Sequence, residues 1–104
     1  MSQPLFKKVA FIGLGLIGSS LARVIQAEHL ANDIVASTRS QKTLEDAKAL
    51  GLISEGYADP VEAVKGADLI VLALPVRATQ KVLETIQPYL AEGTIITDVG
   101  STKG

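Results

Sequence analysis

Three closely spaced glycines near the start of the chain have the spacing of a phosphate-binding loop. They follow the apolar run Val9–Ile12 and precede a helical pattern, as a G-x-G-x-x-G motif requires. In such motifs the first glycine makes a tight turn, the second lets the backbone approach a pyrophosphate, and the third lets helix and strand pack closely. The helix then directs its unpaired N–H groups at the phosphates. The motif predicts a dinucleotide site formed by Gly13, Leu14, Gly15, Leu16, Ile17 and Gly18.

The residues at the end of the second predicted strand and just after it indicate which dinucleotide binds. An acidic residue at this position would bind the ribose hydroxyls of NAD and repel a phosphate. This chain has Ser37, Thr38 and Arg39 there instead, and two hydroxyls with a guanidinium can accept the ribose phosphate of NADP. The alternative is that Arg39 is a solvated loop residue or stacks on adenine, which is compatible with either cofactor. We therefore predict NADP, with NAD as the alternative.

Two further loops should lie at the same site. Leu74 and Pro75 end the strand predicted at Asp68–Leu74, and the polar stretch Asp98–Lys103 follows the last strand. Ligands of open parallel sheets bind outside the carboxyl ends of the strands, so we expect these loops to converge there and Leu74 and Pro75 to contact the cofactor. His29, the only histidine, falls at the end of a helical pattern and is expected to be solvated.

The hydrophobic pattern predicts the strands that position these loops. They are Val9–Ile12, Asp33–Ser37, a short strand within Leu52–Ala58, Asp68–Leu74 and Thr94–Val99. Because strands alternate with helices and crossovers are right-handed, the chain should form a doubly wound parallel sheet between two layers of helices. The fold class predicted is therefore a single α/β domain of the Rossmann type, with strand order 3-2-1-4-5.

Four helical patterns lie between these strands. The apolar face of the first helix consists of Leu21, Ala22, Val24 and Ile25. That of the second consists of Leu44, Ala47 and Leu50. Gly51 is placed to end the second helix. Asp59 suits the N-cap of the third, ahead of Pro60, and Glu62 can complete a capping box. The fourth helix is predicted over Val76–Ile86, before Pro88.

Length and composition limit the class of protein. The 104 residues suit one domain, and 47% of them are hydrophobic. Ten basic and eleven acidic residues are scattered, which gives no electrostatic footprint for nucleic acid or an anionic membrane. No stretch is long and apolar enough to span a bilayer, and the first residues lack a signal-peptide pattern. The absence of cysteine fits the cytoplasm and excludes thiolate metal sites, so we predict no metal.

Three stretches carry a more specific signal: GLGLIGSSLA at residues 13–22, VLALPV at 71–76 and DVGSTKG at 98–104. Together they resemble the prephenate and arogenate dehydrogenase family of tyrosine biosynthesis. The resemblance implies oxidative decarboxylation, in which a ring hydroxyl of a cyclohexadienyl substrate is oxidised by hydride transfer to a nicotinamide and carbon dioxide leaves. The family's motif serine lies beside the catalytic histidine and corresponds to Ser101, which is therefore expected to be catalytic. Lys103 matches the family's lysine, without an assigned role.

The resemblance also implies that residues 1–104 are the NAD(P)-binding domain of a larger enzyme. In that family the general-base histidine, the substrate-binding arginine and the helical dimerisation domain all lie downstream, and His29 matches none of them. The full-length protein should then be a homodimer that acts on prephenate or arogenate, and this chain alone should be inactive. Two alternatives are the cofactor domain of a related hydroxyacid or imine reductase, and a non-catalytic module that senses the dinucleotide.

Overall fold

A five-stranded parallel β-sheet forms the centre of the molecule. The computed structural model describes residues 5–38, 40–74, 76–90 and 92–98. The strands are β1 (Phe6–Ile12), β2 (Ala31–Ser37), β3 (Glu55–Tyr57), β4 (Leu69–Leu72) and β5 (Ile95–Asp98). They lie in the order β3-β2-β1-β4-β5, and every pair of neighbours is parallel. The predicted Rossmann-type fold and strand order are confirmed.

Helices cover both faces of this sheet. They are α1 (Gly15–Ala27), α2 (Gln41–Ala49), α3 (Pro60–Val64) and α4 (Val76–Ile86), and a short 3₁₀ turn (Gln87–Tyr89) follows α4. α1 and α2 pack on the face that carries Val9 and Phe11, whereas α3 and α4 pack on the face that carries Ala10 and Ile12. Successive strand residues point to opposite faces, so β1 contributes to two cores. No helix in the described ranges is long and apolar enough to cross a membrane.

The start of α3 follows the local chemistry that the sequence predicts. The Asp59 carboxylate accepts a hydrogen bond from the backbone N–H of Val61 at 3.0 Å, and Pro60 occupies the first helical position. The predicted capping box does not form, because the Glu62 carboxylate lies 3.3 Å from the ammonium group of Lys65 and pairs with it instead. A single side chain, that of Asp59, therefore caps this helix.

Two residues of the predicted apolar helix faces are exposed. Leu50 is 65% exposed because α2 ends at Ala49 and the chain turns away at Gly51, whose φ is +76°. Val24 is 51% exposed because it lies about 100° around α1 from the buried Ile25. The apolar stripe of each helix is thus wider than its buried stripe, because helical spacing alone does not define how much of a face is covered.

Several strand boundaries also differ from the prediction. β1 begins at Phe6, which pairs with Ala31, and this pairing extends β2 towards the amino end. β4 starts after Asp68 and ends at Leu72, although the N–H of Ala73 still donates to the carbonyl oxygen of Ile12 at 2.9 Å. β5 ends at Asp98. Pairing with a neighbour, rather than the length of the apolar run, thus determines where each strand stops.

Candidate functional site

The carboxyl ends of the five strands lie level with one another. Tyr57 pairs with Ser37, Ser37 with Ile12, Ile12 with Leu72, and Leu72 with Asp98. The first four are the last residues of their strands, and Asp98 is the last described residue of β5. The loops that follow the strands therefore start from one straight edge of the sheet. Open parallel sheets bind their ligands at such an edge.

Gly13 forms the turn between β1 and α1 and has a φ of +83°. A Cβ at this position would lie 2.6 Å from the carbonyl oxygen of Ala73 and 2.7 Å from Cδ2 of Leu74, which leaves no room for a side chain. The Gly13 N–H donates to the carbonyl oxygen of Ser37 at 2.7 Å. The turn thus contacts the ends of both neighbouring strands, β2 through a hydrogen bond and β4 through close approach.

α1 begins at Gly15, inside the glycine motif rather than after it. Its N-cap residue, Leu14, makes no side-chain cap, and the first turn contains no acidic residue. The first N–H groups of a helix have no partner within the helix, and the helix dipole makes this end positive. The start of α1 can therefore hold a phosphate at the carboxyl edge of the sheet. The Leu14 side chain is buried in the core below α1, so only the backbone of this residue is available to a ligand.

A groove of about 440 Å³ opens next to the glycine turn. It is lined by Ile12, Ser37, Thr38, Ala58, Pro60, Leu74, Ala78 and Val82. Among the described residues, the lining is apolar apart from the hydroxyl residues Ser37 and Thr38, and it contains no charged side chain. Apolar walls with a few polar groups at one end suit a planar organic ring that carries a polar substituent.

The polar residues of the groove are held by the ends of the neighbouring elements. Ser37 is only 3% exposed, and its carbonyl accepts the Gly13 hydrogen bond. The Thr38 hydroxyl accepts a hydrogen bond from the N–H of Ser40 at 3.3 Å, just before α2. Both residues therefore sit at the junction of β2 and α2, where the sequence predicts contact with the ribose.

Comparison with known proteins identifies the family. The sequence model of one protein family, the nucleotide-binding domain of prephenate dehydrogenase, matches residues 21–104 of this chain. The chain belongs to this family. The match begins after the glycine motif, so the interpretation of that motif rests on the turn and helix described above.

Similar proteins agree with this assignment. The chain is 43% identical to the prephenate dehydrogenase of Lactococcus lactis subsp. cremoris and 42% identical to the cyclohexadienyl dehydrogenase of Zymomonas mobilis, with 93% and 94% of this chain covered. It spans only 27% and 33% of these relatives. Among solved structures, the fold is shared by prephenate dehydrogenase from Aquifex aeolicus, solved in complex with hydroxyphenyl propionate and NAD+. The TM-score is 0.80 and the sequence identity is 23%. The match covers 94% of this chain and 34% of the Aquifex aeolicus chain.

The structure brings together some of the residues that the sequence predicts for the site. Ser37, Thr38 and Leu74 line the groove, and Gly13 lies next to it. Arg39, Pro75, Ser101 and Lys103 lie outside the described residues. For residues 15–18 of the motif only the helical backbone is described, and Leu16 and Ile17 follow Gly15 in the first turn of α1.

His29 lies at the opposite edge of the sheet, as expected. It follows α1 with a φ of +55°, is exposed, and precedes the start of β2 at Ala31. Among the described residues, no three His, Asp or Glu side chains form a group that could hold a metal. The only histidine of the chain is therefore remote from the groove.

Sequence reasoning did not assign several groove residues to the site. Ala58 lies in the loop between β3 and α3, Pro60 is the first residue of α3, and Ala78 and Val82 come from one face of α4. Their local sequence has no recognisable ligand-binding pattern, although Pro60 is recognisable as a helix start. They reach the site only because α3 and α4 pack beside each other on the same face of the sheet.

Proposed function

We propose that this chain binds a nicotinamide dinucleotide at the carboxyl edge of its sheet, as the cofactor domain of a prephenate or arogenate dehydrogenase. The observation that carries the proposal is a groove whose described lining has no charged side chain, beside a glycine turn and a helix start without a side-chain cap. The positive helix end suits the pyrophosphate, and the apolar groove suits adenine. The residues present therefore fit the group, and when bound, the nicotinamide would accept a hydride from the substrate.

The proposed orientation follows from the order of these features along the edge. The pyrophosphate would lie against the backbone of Gly13–Gly18, and the adenosine half would extend towards Ser37, Thr38 and Arg39. Ala78 and Leu74 would form the wall of the adenine site on the α4 side. This orientation directs the nicotinamide half towards the loop after β5, where Ser101 is proposed as a catalytic residue by its correspondence to the family's serine.

We propose NADP as the preferred cofactor, with NAD as the alternative. The described groove has no carboxylate that would repel a ribose phosphate, and it carries hydroxyls at Ser37 and Thr38. Arg39, next in sequence, would supply the cationic partner. In favour of NAD is the Aquifex aeolicus enzyme, which was solved with NAD+.

The reaction of the whole protein is also a proposal, because the chain spans about a third of its relatives. By analogy with them, the complete enzyme would oxidise and decarboxylate prephenate or arogenate and act as a homodimer. Membership of the family favours this function over a hydroxyacid or imine reductase. The catalytic relatives likewise favour an enzyme over a dinucleotide sensor without chemistry.

Calorimetric titration of the purified chain with NADPH and NADH tests the proposal. Gly15→Val should abolish binding and leave the chain folded, because a side chain at this position fills the space of the pyrophosphate. Ser20→Val is the matched control, since it places the same side chain at an exposed position of α1. Equal affinity of the parent chain and Gly15→Val, or no binding by the parent, would contradict the proposal.

A further inference from the structure

Thr79 makes a hydrogen bond that an ordinary helical threonine does not make. It lies on α4, is 7% exposed, and donates its hydroxyl to the carbonyl oxygen of Leu74 at 3.2 Å. Helical threonines commonly bond to the carbonyl four residues back within their own helix. Thr85 on the same helix does this, with Lys81 at 3.1 Å. Because Leu74 precedes the first residue of α4, the Thr79 bond joins the helix to the loop after β4.

Leu74 connects two parts of the candidate site. Its side chain lines the groove, and its Cδ2 atom lies 2.7 Å from the position that a Cβ on Gly13 would take. The preceding residue, Ala73, is held to β1 by its hydrogen bond to Ile12. The backbone of this loop is thus anchored to the sheet on one side and to Thr79 on the other.

Thr79 itself is not among the residues that line the groove. Any influence on a ligand must therefore act through Leu74. If the hydroxyl is removed, the Leu74 carbonyl loses this donor and the loop can relax. The Leu74 side chain, which lies between the glycine turn and the groove, is then no longer held by this bond.

We propose that Thr79 is a positioning residue for the bound dinucleotide, which keeps Leu74 in place as a wall of the adenine site. This inference rests on the proposed function. It assigns to a buried helix residue a role that neither the glycine motif nor the strand ends supply. It also explains why a polar side chain occupies the buried side of α4, next to the apolar core that includes Ile86.

Titration of three variants with NADPH and NADH tests the role. Thr79→Val keeps the shape and removes the hydroxyl, and we expect binding to weaken about two- to tenfold, the equivalent of one hydrogen bond. Thr79→Ser restores the donor and should bind within about twofold of the parent chain. Thr85→Val, which removes a threonine hydroxyl from the same helix, should leave affinity unchanged. Parent-like binding by Thr79→Val, or binding by Thr79→Ser as weak as that of Thr79→Val, would overturn the proposal.

Amide hydrogen exchange of the ligand-free proteins separates this inference from the proposed function. The Ala73 N–H should exchange faster in Thr79→Val than in the parent and in Thr85→Val, because its loop loses one anchor. Unchanged exchange at Ala73 would overturn the positioning role whatever the affinities. If the parent chain binds neither nucleotide, the proposed function fails. Faster exchange of the Ala73 N–H in Thr79→Val would still show that the Thr79 hydroxyl stabilises the loop after β4.

Discussion

Gly13 and Gly66 have similar backbone conformations in different surroundings. Their φ angles are +83° and +77°, but a Cβ on Gly13 would clash with Ala73 and Leu74, whereas nothing lies within 4 Å of a Cβ on Gly66. We expect Gly66→Ala to lower the free energy of unfolding by about 1–2 kcal/mol, the cost of left-handed strain. Gly13→Ala should lose about 2–5 kcal/mol, because a steric term is added. Urea denaturation measures both, and equal losses would contradict the close approach of β4 to the turn.

Substitution of Arg39 tests the proposed preference for NADP, which is inferred from the sequence at this position. If its guanidinium pairs with the ribose phosphate, Arg39→Ala should weaken NADP binding by about ten- to a hundredfold, which corresponds to roughly 1.5–3 kcal/mol. NAD binding should stay nearly unchanged. Arg23→Ala is the control, since Arg23 is exposed on α1 and lies outside the groove. Equal losses for both cofactors would indicate stacking on adenine, and no loss would indicate a solvated residue.

At the scale of elements, α3 is the helix whose start forms part of the groove. Pro60 is both its first residue and a lining residue, and the Asp59 carboxylate fixes this start through Val61. Asp59→Ala should lower the free energy of unfolding by about 1 kcal/mol, because the N-cap is lost. Asp59→Asn retains a capping oxygen and should be close to the parent chain. Thermal or urea unfolding of the two variants tests this, and an equally stable Asp59→Ala would rule out the cap as a source of stability.

The whole molecule separates its only histidine from the groove. His29 lies before β2 and Ser37 lies at its end, which at about 3.3 Å per residue places them roughly 20 Å apart along the strand. A general base must lie within about 3 Å of the proton that it removes. In the proposed orientation the nicotinamide lies at the carboxyl edge of the sheet, so His29 is too far away to act as this base.

We therefore expect no turnover of prephenate or arogenate by the 104-residue chain, even with saturating cofactor. Formation of reduced nicotinamide, followed by its absorbance, measures this. The prephenate dehydrogenase of Lactococcus lactis subsp. cremoris is the positive control under the same conditions. Turnover by this chain in the usual enzymatic range of about 1–1000 per second would contradict the prediction.

Much of the architecture is determined by the sequence alone, because the signals are local. The glycine spacing, the buried run around Ile70 and the Asp59–Pro60 helix start each depend on a few neighbouring residues. Alternating strands and helices, combined with right-handed crossovers, then leave few possible topologies, and the predicted strand order is the one observed. The family could also be recognised from short motifs, and the family match confirms it.

Only the tertiary structure decided which distant residues share the groove. Ala58, in the loop before α3, and Ala78, on α4, both line the groove because α3 and α4 pack on one face of the sheet. The bond from Thr79 to Leu74 and the exposure of Leu50 depend on how α4 and α2 meet the loops next to them, which the apolar periodicity does not specify. The physical reason is that periodicity specifies which residues are apolar, whereas burial and loop contacts depend on pairing and packing between segments far apart in the chain.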